Sequence, residues 1–298
     1  MAISISSSTA VDLSRLPPPD VVEALDYETI LAAMMADLVA RDPSFTALVE
    51  SDPALKILEI AAWRELLLRQ RVNEAARAVM VAYAMGADLD QLGAVFGVAR
   101  LEITPADGDT PAVMEGDEAL RRRILLAPDS YSVAGPASAY IFHALAADGD
   151  VLDASATSPE PGEVVVSVLS RTGDGTASPE LLATVDAALS ADTVRPLTDS
   201  VTVQAAGLVA FDVTATLHLY AGPDATLIES AALDALLARL EELRRIGRDV
   251  PRSVLIAALH VAGVQRVELI SPPDDVVVDD TQAPAPGSIT LSLAVSGE

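Results

Sequence analysis

No cysteine occurs among the 298 residues, which removes thiolate metal sites, disulfide staples and cysteine nucleophiles together. Lysine is almost as scarce, because Lys56 is the one lysine among 19 basic side chains. A phosphate-cradling or Schiff-base lysine would have to be this residue, and no G-x-x-x-x-G-K precedes it. Aromatic residues make up only 3% of the chain, too few to flank a carboxylate pair with the stacking platforms that a glycosidase needs. Basic charge is short too: 19 Lys and Arg stand against 44 Asp and Glu, a formal charge of −25. Nucleic-acid binding requires a concentrated basic surface to displace counterions, so a nucleic-acid reader is excluded. The longest uninterrupted apolar stretch, Ala78 to Met85, falls far below the roughly 20 residues that span a bilayer, and no membrane partner is expected. Met1 to Ser14 carries neither a basic nor an apolar signal region, so assembly in the cytoplasm is the expectation.

What is present is a globular composition, 51% apolar and built mostly on Ala, Val and Leu, long enough for two or three domains. Residues 1–26, with a Ser cluster and Pro17-Pro18-Pro19, read as an extended arm. Tyr27, Ile30, Leu31, Met34, Met35, Leu38 and Val39 follow at spacings of three and four, one stripe of a helix. Asp52 caps and Pro53 opens a second helix that meets no breaker until Gly86, a rod of about 32 residues and about 48 Å. One of its stripes holds Leu58, Ala61, Leu68, Val72, Ala75, Val79 and Ala82. A second carries Ile57, Ile60, Trp63 and Leu67 and then turns charged through Arg71. Such a rod wants cover on two sides in its first half; helix 27–40 supplies one and a partner helix the other. Asp88 with Gln91 forms a capping-box pattern for a short helix ending at Gly97.

Residues 101–117 read as an exposed acidic loop, and the next helix carries the run Arg121, Arg122, Arg123. A helical domain over 27–130 is therefore expected, followed by α+β texture. Helix 137–147, strands 150–157 and 163–169, helix 178–190 and strand 200–206 make a first α+β domain over 131–206. The second, over 207–298, opens on a long strand in which Val209, Phe211, Val213, Ala215, Leu217 and Leu219 alternate with Asp212, Thr214, Thr216 and His218. Helices 226–246 and 251–261 and strands 264–270 and 288–295 complete it. Both domains contain helix, strand, a connection closing in Pro-Gly, and strand, an internal α-β-β repeat. The fold class is α+β, a helical amino-terminal domain with one long helix and two small α+β domains.

The three histidines, His143, His218 and His260, show no metal-ligand spacing, and no G-x-S-x-G elbow occurs. Gly173-Asp174-Gly175 lacks a third glycine and reads as a hairpin or capping loop. The pairs Asp274-Asp275 and Asp279-Asp280 do not match a calcium loop and read as solvated. No catalytic, cofactor or metal residues are nominated. The candidate partner interface is Ile57, Ile60, Trp63, Leu67 and Arg71 on the rod. The helix-face arginines Arg121, Arg122 and Arg123 join it as a possible dock for acidic patches.

Several blocks, in order, carry a resemblance: LPPPDVVEALDYETIL (16–31), LKILEIAAWRELLLRQRVNEAARAVMVAYAMGADLDQLGAVFGVAR (55–100), EGDEALRRRIL (115–125), SVAGPASAY (132–140), RPLTDSVTV (195–203) and GRDVPRSVLIAALHVAGVQRVEL (247–269). Together they resemble the baseplate J-like proteins of contractile-tailed phages, which are similar to the large wedge protein of T-even baseplates. The resemblance implies a structural virion protein of the tail baseplate, without enzymatic activity or cofactor, in a six-fold ring around the central hub and spike. It implies other copies of the chain as partners, two per wedge, with an adjacent wedge protein bound through the amino-terminal helices. Hub and sheath-proximal wedge proteins are further partners, and the ring rearranges to release sheath contraction. A wedge component of a related tail-like injection device, or a receptor or fibre adaptor, is the alternative.

Overall fold

The computed structural model describes residues 19, 21–45, 49–50, 52–108, 110–132, 135–220, 222 and 224–295. The expected extended arm lies outside them except for Pro19 and residues 21–26. Two compact units are present, one ending at Ala99 but including Asp117–Arg121, the other formed by residues 100–116 and 122 onward.

In the helical unit, α1 (Tyr27–Arg41) is capped by Asp26, whose carboxylate accepts from the Thr29 N–H at 2.9 Å and the Thr29 hydroxyl at 2.6 Å. The start of α2 (Pro53–Ala78) is the one read from the sequence, with Asp52 accepting from the Ala54 N–H at 2.8 Å and Pro53 in the first turn. Its end is not. The helix stops at Ala78 instead of continuing to Met85. Over residues 79–85 the backbone turns, and Arg121 takes the Val81 carbonyl through Nε at 2.7 Å and the Ala84 carbonyl at 2.7 Å. Likewise α3 (Gly86–Val95) begins at Gly86 and not at a capping box on Asp88, because the Asp117 carboxylate accepts the Gly86 N–H at 3.0 Å. Both departures come from side chains more than thirty residues away, which local patterning cannot register.

What seats the chain before α1 on α2 is polar. The Asn73 amide donates to the Glu23 carbonyl at 2.9 Å and accepts from the Glu23 N–H at 3.0 Å, so one side chain pairs with both backbone groups of one residue. Arg69 joins Glu65 and Glu23, and Tyr27 meets Trp63 edge-on at 6.5 Å. Asn73 is only 8% exposed. Asn73→Ala would strand two backbone groups of Glu23, and a loss of about 1–3 kcal/mol in a urea titration is the expected result. A loss under about 0.5 kcal/mol would mean that water replaces the amide.

The acidic segment is no plain loop, because β1 (Glu102–Thr104) and β2 (Val113–Met114) pair antiparallel across it. Glu115 is buried against Arg123 of α4 (Asp117–Ser130). At Gly149 a Cβ would stand 2.3 Å from the Glu102 carbonyl oxygen, so only glycine lets this hairpin lie against the turn that follows α5 (Ala137–Ala147). These contacts, invisible as periodicity, draw residues 100–116 and 122–130 away from the helical unit and displace the boundary expected near 130.

The first sheet orders β3 (Val151–Thr157), β4 (Glu163–Ser170) and β5 (Ser200–Ala205), with β4 central, antiparallel to β3 and parallel to β5. Helices α5 and α6 (Pro179–Leu189) cover one face with Tyr140, Ile141, Leu181, Val185 and Leu189. The Tyr140 hydroxyl donates to Asp199 at 2.7 Å, and burial followed by this bond pushes its pKa up. A Cβ on Gly135 (φ 69°) would meet Pro196 at 2.8 Å and Asp199 at 2.9 Å. The sequence blocks around 132–140 and 195–203 are thus two halves of one contact.

In the second sheet the long β6 (Gly207–Leu219) is central, antiparallel to β7 (Val264–Ser271) and parallel to β8 (Gln282–Val295). Phe211, Val213, Ala215, Leu217 and Leu219 pack under α7 (Ala225–Leu243) and α8 (Arg252–Leu259), as their alternation predicts. The two sheets share one pairing scheme, yet the second strand of the repeat differs in place: β4 is central whereas β8 is an edge. Proline is the reason. Pro284 and Pro286 lack the N–H groups that a central strand must donate, so β8 is confined to an edge. The same prolines hid residues 282–287, which continue the strand expected only from 288.

His143 on α5 hydrogen-bonds the Ser130 backbone and stacks edge-on to Phe142 at 5.3 Å; burial holds its pKa down, against that bond. The unfolded chain therefore takes up this proton first, and stability falls as pH drops below about 6.5. Asp26, Asp42, Asp174, Asp212, Asp224 and Asp279, all lowered mainly by hydrogen bonds to nearby Thr or Ser residues, lose their contribution only below about 3.8. Melting temperature between pH 7.5 and 5.5 should fall less steeply in His143→Gln than in the parent; parallel curves would contradict this.

Candidate assembly interface

Because α2 turns once in about 3.6 residues, Leu55, Ala62 and Asn73 share one side, and these are its buried residues. Ile57, Ala61, Arg64, Leu68, Arg71 and Ala75, spaced four and three, run along the opposite side. Ile60 and Leu67 flank this seam on one edge, Val72 and Val79 on the other. Trp63, half-covered by Tyr27, stands at the border. Ile57, Ile60, Trp63, Leu67, Leu68, Val72 and Val79 range from 40% to 70% exposed.

The structure thus corrects the assignment of stripes. Leu68, Val72 and Val79, read from periodicity as part of a separate apolar stripe, are open, and they extend the face drawn from Ile57, Ile60, Trp63, Leu67 and Arg71. The amide of Asn73 fixes which side is covered, and an apolar count ignores it. Arg64 lies on the same seam, and with Arg71 it forms an i, i+7 pair legible in the sequence.

The three consecutive arginines do not belong to the face. Adjacent helical residues fan out by about 100°, so each reaches a different element. Arg121 holds the turn after α2. Arg122 meets Asp153 at 2.5 Å, and Arg123, 4% exposed, binds both oxygens of Glu115, through Nε at 2.9 Å. All three are engaged within the chain, and only Arg123 is buried outright.

Elsewhere the second unit offers little reactive geometry. A cleft of about 260 Å³ between the loop at Gly173-Asp174, α7 and β8 is lined by Leu237, Leu240, Arg244, Pro286 and Ile289. Its Asp174 accepts from the Thr176 N–H at 2.8 Å, chiefly for which its pKa is lowered. His218 contacts Glu268 at 3.2 Å and Arg266 at 2.8 Å on the open face of the second sheet. Among the described residues no group of three or more His, Asp or Glu is placed to hold a metal, and no helix is long and apolar enough to cross a membrane.

An exposed, largely apolar helical face is the kind of surface that an assembling protein presents to a neighbour. Three family models match in succession: the baseplate J-like N-terminal domain over residues 50–107, the central domain over 132–205 and the C-terminal domain over 211–292. The chain is also 51% identical to baseplate protein J of Escherichia phage P2 over 284 residues, covering 92% of this chain and 94% of that protein. It belongs to the baseplate J-like family and is a structural baseplate protein of phage type. Among solved structures, the 6-fold symmetrised baseplate of the anti-feeding prophage matches with a TM-score of 0.40 and 16% identity over 61% of this chain. The chain spans about half the length of that solved chain (47%).

Proposed function

We propose that the protein is a wedge component of a contractile-tail baseplate, repeated in a six-fold ring around the hub and spike with two copies per wedge. The ring rearranges to trigger sheath contraction. Its place is the tail baseplate of the virion, assembled in the host cytoplasm, and it carries out no catalysis. The observation that supports this most is identity to baseplate protein J along almost the entire length, helices and both sheets included.

The exposed side of α2 is where the adjacent wedge protein binds. An apolar seam interrupted by two arginines seven residues, about 10 Å, apart fits an amphipathic helix with carboxylates at matching heptad positions. In a chain of net charge −25 this is a local reversal of sign, which sets register and rejects copies of acidic surface. Other copies of the chain bind through the α+β domains, and hub and sheath-proximal wedge proteins bind the completed ring. Ring closure at six-fold symmetry requires a heterologous contact in addition to any two-fold one. Image averaging of tail particles carrying a tag on this chain tests the reading. It predicts tag density in a six-fold collar around the hub, at two positions per wedge; tag density outside the baseplate would overturn it.

A further inference from the structure

The two α+β domains meet through a small contact built around a charge. Leu152, Leu169, Ala206, Ile246 and Ala283 form a separate apolar cluster there, apart from the core of either sheet. Beside it Asp153, 2% exposed on β3, accepts from three directions: Arg122 of α4 at 2.5 Å, the Ala154 N–H of its own strand at 2.8 Å, and the Ile246 N–H after α7 at 2.9 Å. Next along the strand, the Ser155 hydroxyl donates to the Asp280 carbonyl at 2.5 Å. One carboxylate therefore holds α4, the first sheet and the second domain.

We infer that Asp153 is the pin of a conformational joint, making the seat of α4 and the setting of the second α+β domain a single two-state element. A buried carboxylate deprived of its cation is strongly unfavourable, so it must find water. Water reaches Asp153 by parting Ile246 and Ala283 from the first sheet. Withdrawal of Arg122 thus opens the domain contact, and opening that contact hydrates Asp153 and frees Arg122. A few polar groups over a small apolar patch can be exchanged as a unit, whereas the large cores on either side cannot. The inference goes beyond the assignment of a partner to α2 and does not depend on it.

The absence of cysteine makes the test direct. In the full chain a single cysteine replaces Ala283, fully buried in the joint, or, as a control, Val185, fully buried in the first-domain core. The rate of modification by a thiol reagent is then measured. Arg122→Gln, which leaves every residue of the joint cluster in place, is expected to speed modification at 283 about tenfold or more while the rate at 185 changes less than about twofold. Asp153→Asn should do the same, and the double variant should be no faster than the faster single one. If the cysteine at 283 itself prevents folding, Ala206→Cys in the same cluster takes its place. An unchanged rate at the joint in Arg122→Gln, or equal acceleration at 185, would overturn the inference and leave the pair as ordinary packing.

Discussion

Arg123→Ala should destabilise the unit containing both sheets by about 3–5 kcal/mol, because it leaves a buried carboxylate without its cation. Glu115 is 5% exposed and also accepts the Leu101 N–H at 3.2 Å, while its carbonyl takes Arg100 at 2.5 Å. It thereby ties both ends of the β1–β2 hairpin to α4. Loss of the arginine should free the hairpin from the turn at Gly149 before the sheets unfold, as a separate early transition in hydrogen exchange over residues 101–115. The double change Glu115→Leu with Arg123→Met should recover most of the stability, since a well-packed apolar pair can stand in for a buried ion pair. A deficit below about 1 kcal/mol for Arg123→Ala would show that water already reaches Glu115.

Leu68→Asp, at the middle of the open seam on α2, should leave folding unchanged, because the side chain is 68% exposed. In a titration against the adjacent wedge protein proposed as the partner of α2, binding should weaken by about 100-fold or more. The change removes about 1.5–3 kcal/mol of apolar burial and places an anion in a desolvated seam. Leu67→Asp should act alike, and Trp63→Asp should weaken binding while also loosening α1 through Tyr27. Arg64→Glu with Arg71→Glu should discriminate most sharply, since it inverts the charges proposed to set register. Unaltered binding by Leu68→Asp would place the partner elsewhere.

Legibility in the sequence followed the range of the forces. Strand β6, with its buried Val213, Ala215, Leu217 and Leu219, was evident from alternation, and the start of α2 from Asp52-Pro53, because these signals lie within a few residues. The ends that depended on remote side chains were not evident: the break after Ala78 rests on Arg121, and the start at Gly86 on Asp117. Polar anchoring was hidden for the same reason. Asn73 turned the covered side of α2 away from Leu68 and Val72, and an acidic run concealed the buried Glu115. Of the interface candidates, the residues on α2 lie on one continuous face. Arg121, Arg122 and Arg123 do not, and their adjacency on a helix was itself the sign that they point three ways.

Hydrogen exchange over residues 57–79, compared between the isolated protein and assembled baseplates, tests the central claim most directly. The open face of α2 predicts protection that rises on assembly by about tenfold or more across this span, with little change in the cores beneath β4 and β6. Equal exchange in the two states would contradict the assignment of α2 as the assembly face.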